Sequence, residues 1–275
     1  MLDVSVDLDP ELCIYCGICE VLCPFNAIKL YINGKHLNPV VKKNCFPEIH
    51  RSVRIDAETC KRVNSLCERL CFEACPLNLL SFNGTCVHIS DVGRCPTCKW
   101  CESVCRSVIQ IDKIFEGSIE IFDEKCPAGC ESCMHQCPVN ALYINEQGKV
   151  DVLPDFCVYC GTCINFCPVE GAINLKITHV NAKPSESNTW KLAVEKLSAY
   201  KPANRPQRKL SSMANKHTSW PKSTRNNNEK ELVIERSFYI KKFTLILNKD
   251  LCKKCRICYI TCPKGAVNIT RVQRS

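Results

Sequence analysis

Six times along its 275 residues the chain sets four cysteines within a short stretch. The runs are Cys13, Cys16, Cys19 and Cys23; Cys60, Cys67, Cys71 and Cys75; Cys95, Cys98, Cys101 and Cys105. They continue with Cys126, Cys130, Cys133 and Cys137; Cys157, Cys160, Cys163 and Cys167; and Cys252, Cys255, Cys258 and Cys262. Proline follows the fourth cysteine in every run except the third, where Arg106 stands. Cysteines three apart on a tight loop can curl three thiolates around one side of a shared object, with backbone N–H groups turned toward the sulfurs. The fourth is expected to begin a short helix and to point away toward a second object, the proline suiting a helix start because its missing N–H has no intrahelical partner there.

Three other uses of cysteine fit less well. A disulfide framework belongs to small secreted chains, and the start Met1-Leu2-Asp3-Val4-Ser5-Val6-Asp7 has neither the basic head nor the apolar run of a secretory signal. Structural zinc, which would make the chain a non-redox interaction scaffold, usually takes two C-x2-C pairs separated by a long loop. Cys126-x3-Cys130-x2-Cys133 has the spacing of an S-adenosylmethionine radical site. Cys137-Pro138 follows at the ordinary distance, however, so the extra residue in Pro127-Ala128-Gly129 reads as an insertion. C-x2-C-x2-C-x3-C-P is the ligand run of bacterial-type ferredoxins, whose thiolates hold a [4Fe–4S] cube and whose fourth cysteine serves the neighbouring cube. Every central position keeps cysteine, so the expectation is six [4Fe–4S] clusters with these 24 cysteines as iron ligands. Cys45 and Cys86 fall outside every run and read as plain thiols.

Phe, Tyr and Trp make up only 7% of the chain, so folding should draw largely on metal–thiolate bonding, and iron-free protein should be mostly unfolded. The formal charge of +9 counts each cysteine as neutral. Each cluster with four thiolates carries about −2, so six bring about −12 and leave the loaded chain near −3. Residues 176–236 hold 13 Lys and Arg against 5 Glu and no Asp, which makes the molecule electrically lopsided. No apolar stretch reaches the roughly 18–20 residues of a membrane span, and a cytoplasmic, reducing compartment is expected.

Each run sits in a recurring frame of short strand, cysteine loop, short helix and return strand. The fold class is therefore α+β: tandem two-cluster ferredoxin modules, three in number, with a basic, partly helical insertion. Val4–Pro10 precedes the first run and Ala27–Ile32 follows it, with Asn33-Gly34 as a hairpin turn. Val108–Asp112 and Ser118–Phe122 read as two strands joined around Gly117. The repeat is near thirty residues except at about Asn33 to Ser52 and at the insertion, about 178–236. In the insertion, Ser187-Asn188-Thr189 can cap a helix whose Trp190, Ala193, Val194, Leu197 and Tyr200 share a face suited to packing. Residues 201–230 read as loosely held, contacting solvent or a partner, with no nucleic acid expected. Pairing consecutive runs gives modules at 1–89, 90–149 and 150–275, so Cys75 would join Cys13, Cys137 would join Cys95 and Cys262 would join Cys157. A competing register pairs runs two with three, four with five and one with six, and linkers of 19 or 20 residues between runs two to five leave it open.

No glycine loop for a nucleotide, no flavin or nicotinamide fingerprint and no nucleophile–base set accompanies the runs, so the chain reads as an electron carrier and not an enzyme. The tandem runs, with Cys95-Pro96-Thr97-Cys98-Lys99-Trp100-Cys101, Cys126-Pro127-Ala128-Gly129-Cys130 and Cys157-Val158-Tyr159-Cys160-Gly161-Thr162-Cys163 followed by a basic stretch and the Trp190 helix, resemble the polyferredoxins of methanogenic archaea. The resemblance is nearest to the polyferredoxin subunit of formylmethanofuran dehydrogenase, in which eight clusters stand against six here. It implies low-potential electron relay in methanogenesis, to or from a tungsten or molybdenum enzyme that interconverts carbon dioxide and a formyl group. Hydrogenase-associated polyferredoxins share the runs. A fixed subunit of an oxidoreductase and a free carrier visiting several enzymes are the competing roles.

Overall fold

The computed structural model describes residues 2–63, 67, 69–199, 223–238 and 240–273. Three antiparallel strand pairs define its plan, and each joins the strand before one cysteine run to the strand after another. Leu2–Leu8 pairs with Val267–Gln273, bringing run one to run six. Ser52–Ile55 pairs with Ile109–Asp112, enclosing runs two and three. Phe115–Ile121 pairs with Ile173–Val180, enclosing runs four and five. Alternation drives these strands: Ile109 and Ile111 are buried while Gln110 is exposed, and Ile173, Leu175 and Ile177 are buried between exposed Asn174 and Lys176.

A second hairpin completes each unit. Leu80–Phe82 returns on Val87–Ile89, and Leu142–Ile144 on Val150–Val152. In the terminal unit the equivalent partners are Ile28–Ile32 and Lys241–Asn248, so everything between them is inserted into one hairpin. This replaces consecutive pairing, and with it the boundaries 1–89, 90–149 and 150–275, by two units nested inside a third. The two irregular connections are the entry and exit of that nesting, and they meet where Ile49 bridges Ala182.

The described part of the insertion carries a helix and two strands. Asn188–Ala199 is a helix that buries Ala193 and Leu197, with Trp190 edge-on to Phe46 at 5.0 Å. Ser187 Oγ donates to the carbonyl of Cys45 at 2.5 Å, fixing the helix start to the entry connection. Ser223–Asn227 and Glu231–Phe238 extend the sheet of Lys241–Asn248 and Ile28–Ile32 to five strands, Lys35–His36 being the far edge. Leu232 and Ile234 are the buried side of that extension. Tyr200 and the basic stretch 201–222 lie outside the described residues. Among the described residues no helix is long and apolar enough to cross a membrane.

Gly117 corrects another expectation. It lies inside the strand Phe115–Ile121, opposite Ile177 and next to a bulge, and joins no strands. A Cβ there would meet the carbonyl oxygen of Lys176 at 2.0 Å, so the backbones would have to part. Gly117→Ala is expected to destabilise the unit by about 1–3 kcal/mol, the usual cost of overpacking, seen as a lower midpoint in thermal loss of visible absorbance.

Candidate metal centres

The strand pairs carry the cysteine runs face to face, and four-cysteine groups result. Cys13, Cys16 and Cys19 share a cavity with Cys262, whereas Cys252, Cys255 and Cys258 are gathered with Cys23. Cys60, Cys67 and Cys71 meet Cys105, and Cys95, Cys98 and Cys101 meet Cys75. Cys126, Cys130 and Cys133 lie with Cys167, and Cys157, Cys160 and Cys163 with Cys137. All 24 run cysteines are thus brought into foursomes, each three from one run and the fourth from its partner. The exchange of fourth cysteines follows the expected pattern; the partners are those of the competing register, because strand pairing and not sequence order decides which loops face each other.

Local geometry explains the spacing. Two residues after the first cysteine, Tyr15, Thr97, Tyr159 and Lys254 are held in the left-handed region. That bend turns the amide back on the sulfur: Tyr15 N–H reaches Cys13 Sγ at 3.5 Å and Tyr159 N–H reaches Cys157 Sγ at 3.4 Å. Gly17, at φ 86°, serves the same loop where it runs against Asn38 and a Cβ would lie 2.5 Å from that side chain. One short helix then carries the third cysteine, as in Ile18–Val21, Trp100–Val104 and Thr162–Phe166.

The fourth cysteine therefore ends a helix and does not begin one. Its proline opens a turn, and the residue after next is left-handed: Asn26, Asn78 and Asn140 at φ 50–55°, Gly265 at 63°. The next amide then points at the fourth sulfur, with Ala27 to Cys23 at 3.3 Å, Leu79 to Cys75 at 3.4 Å, Ala141 to Cys137 at 3.3 Å and Ala266 to Cys262 at 3.2 Å. C-P-x followed by Asn or Gly is the sequence signal for this turn, and cysteine spacing alone does not reveal it. In run three the turn forms without proline, Val108 and Ile109 N–H both donating to Cys105 O.

The irregular runs also deliver their sulfurs. Gly129, at φ 69°, absorbs the extra residue in run four. Cys60 sits on the helix Ala57–Val63, yet lines the same cavity as Cys67 and Cys71. Val87 N–H donates to Cys60 Sγ at 3.4 Å, and Cys86 lies beside Cys60; burial, then this neighbour, pushes the Cys86 thiol up to about 11. Cys45 is in no group; its thiol donates to Lys43 O at 3.5 Å.

These residues fit a [4Fe–4S] cluster. At four of the groups four thiols line one small shared cavity, and backbone amides reach several of the sulfurs. Four thiols around one space, three from a single loop and one from a facing loop, suit a cube with iron at its corners. Burial pushes the thiols up, to about 11 for Cys13, Cys133 and Cys252 and about 12 for Cys98, Cys101 and Cys157. A thiolate-binding group must displace those protons.

The three units meet at their better-buried groups. Cys160 and Cys255 face each other across one seam, where Arg256 N–H donates to Cys160 O at 3.3 Å and Asn165 Nδ2 to Lys254 O at 2.7 Å. Across a second seam Arg51 joins the loops of Cys23 and Cys95. Across a third, Trp100 Nε1 donates to Val139 O at 2.7 Å, its ring stacked on Phe156 at 3.7 Å. Exposed Ile14, Leu70 and Val104 sit on the loops of the Cys13 and Cys60 groups, and Arg271 of the terminal unit donates to the carbonyl of Cys167 in the Cys126 group.

The fold and these sites define an iron–sulfur electron-transfer protein built from tandem bacterial-type 4Fe-4S domains. A 4Fe-4S binding domain profile matches residues 6–29 and a 4Fe-4S dicluster domain profile residues 118–168. The chain belongs to the ferredoxins: it is 37% identical to an uncharacterised ferredoxin of Methanocaldococcus jannaschii over 18% of this chain and 77% of that one. It is 33% identical to a tetrathionate reductase subunit of Archaeoglobus fulgidus over 30% of this chain and 45% of the relative. The matched region spans about half the length of that relative and of others like it. Among solved structures it resembles a chain of the formate dehydrogenase–heterodisulfide reductase–formylmethanofuran dehydrogenase complex of Methanospirillum hungatei, with 29% identity and a TM-score of 0.60 over 70% of this chain and 78% of that one.

Two outcomes are expected. Combining Cys75→Ser with Cys95→Ser should disturb one site and release about four iron, whereas Cys75→Ser with Cys13→Ser should disturb two and release about eight; iron analysis of anaerobic protein distinguishes them. Because protons compete for thiols whose affinity burial has raised, iron loss to a chelator should accelerate as pH falls from about 8 to about 5.

Proposed function

We propose that the chain is a polyferredoxin that holds six [4Fe–4S] clusters on the 24 run cysteines and relays single low-potential electrons between partner proteins. The observation that carries this reading is the sorting of all 24 into foursomes with exchanged fourth members and with amide hydrogens on the sulfurs. Such a cluster takes up and gives up one electron with little change of shape, at a potential set by nearby charge, sulfur hydrogen bonds and exposure. The chain's residues supply those three controls: amides such as Tyr15, Ala27 and Ala141, the cations at the seams, and the graded burial of the cysteines.

The grading favours a relay with three ends. The Cys252, Cys95 and Cys157 groups meet at the seams, while the Cys13, Cys60 and Cys126 groups lie outward, within reach of partner surfaces. Chemistry on a substrate then belongs to those partners. The similarity to a chain of the Methanospirillum complex supports a fixed subunit of an assembly of that kind, with formylmethanofuran dehydrogenase as the partner oxidoreductase in methanogenesis or a related pathway. The relatives named as reductase subunits support a fixed subunit over a free carrier.

Anaerobic metal analysis tests the relay. About 24 iron and 24 sulfide per chain, with paramagnetic signals on reduction, is the expected result; zinc without sulfide contradicts it. Native purification tests the partner: elution at fixed stoichiometry with an oxidoreductase supports the subunit role, and a free monomer opposes it.

A further inference from the structure

Arg51 lies where the entry connection leaves the terminal unit for the unit of runs two and three. Its guanidinium donates to three carbonyl oxygens and bridges both units: Cys23 O at 2.5 Å, Pro24 O at 2.8 Å and Cys95 O at 3.0 Å. Cys23 belongs to the group with Cys252, Cys255 and Cys258, and Cys95 to the group with Cys75, Cys98 and Cys101. One side chain is thus anchored on the backbone of a candidate ligand from each of two sites.

Its charge distinguishes it from an ordinary structural arginine. A guanidinium stays protonated in proteins, and a half-buried cation is costly unless something of opposite sign faces it. Carbonyls supply dipoles but no countercharge. Among the described residues no carboxylate lies within ion-pair distance of Arg51, and Asp91 acts on it only from further off, after Cys23 and Cys95. Arg236, near Cys13, differs in this respect because Glu11 stands 3.6 Å away. The large opposite charges on offer are the two sites themselves, each about −2 when four thiolates hold a cluster, and more negative by one with an added electron.

We infer that Arg51 is the shared countercharge of the Cys23 and Cys95 sites, raising the reduction potential of both so that an electron is stabilised on either side of this seam. The inference rests on the relay reading above. The transfer it assists moves one electron: one site is oxidised by one, its neighbour is reduced by one, and no bond forms or breaks. The electron enters from a reduced redox protein at one end and leaves to an oxidised one at another. The hydrogen bonds of Arg51 go to backbone carbonyls, so it acts as a positioning residue through its field and through the loops it ties.

The test is a redox titration of the full anaerobic chain followed by electron paramagnetic resonance, comparing wild type, Arg51→Gln and Arg51→Lys at equal iron content. Gln can still donate to carbonyls without the charge; Lys keeps the charge without the fork. Two of the six transitions should move to more negative potential in Arg51→Gln and stay near wild type in Arg51→Lys. Arg54→Met, which removes an exposed cation paired with Asp112 at 2.9 Å, should move neither of them. Unmoved transitions in Arg51→Gln, a uniform shift of all six, or equal shifts in Gln and Lys would overturn the inference. Should Gln not retain its iron, Arg51→Met against Arg51→Lys is judged by the same criterion. Failure of the relay reading itself looks different, because wild type would then show no iron–sulfur transitions to shift.

Discussion

The interaction on which the rest depends is the handing of one cysteine from each run to the site of another. Three sulfurs from one loop can surround only one side of a cube, and the fourth comes from a loop that the sheet has turned to face it. That exchange welds two runs into a unit, so the strands outside them must pair: Leu2–Leu8 with Val267–Gln273, Ser52–Ile55 with Ile109–Asp112, Phe115–Ile121 with Ile173–Val180. The apolar core follows the sulfurs. Cys98, Cys133, Cys160, Cys163 and Cys258 lie within the main core alongside Leu22, Ile28, Ile173 and Ile257, which is how a chain with few aromatic residues fills its interior.

Much of this is legible in the sequence because the chemistry is local. Three cysteines at spacing three need only the loop that carries them, and the alternation around Ile109 or Leu175 marks a strand whose faces differ. Pairing is not local. Cys13 and Cys262 lie at opposite ends of the chain, and nothing in either run names the other. The one trace of their partnership is the pair of long connections near Asn33–Ser52 and in the insertion, where two complete units were placed inside the hairpin of a third. Taken as linkers between neighbours, those connections suggest modules in series; taken as the ends of an insertion, they give the nesting.

Smaller discrepancies have equally physical causes. Proline after the fourth cysteine suits both a helix start and a turn, and the left-handed Asn or Gly two residues later decides for the turn. Gly117 suggests a junction because glycine often marks one, whereas here it admits the close approach of the Lys176 carbonyl. Cys86 carries no spacing signal and is brought beside Cys60 only by the hairpin Leu80–Phe82 and Val87–Ile89. The Trp190 helix is visible because Ala193 and Leu197 keep helical period, and the strand Glu231–Phe238 is hidden by the polar segment that precedes it. Where the three units meet, the cations Arg51 and Arg256 stand between cysteine loops of neighbouring units.

Anomalous diffraction at the iron edge from anaerobically grown crystals separates clusters from single metals and shows which runs share each site. Six compact iron peaks in three close pairs are expected, with the Cys13 and Cys252 sites forming one pair across the two ends of the chain and the Cys252, Cys95 and Cys157 sites nearest the centre. Isolated single-metal peaks, or a peak ligated jointly by Cys13 and Cys75, would contradict this arrangement.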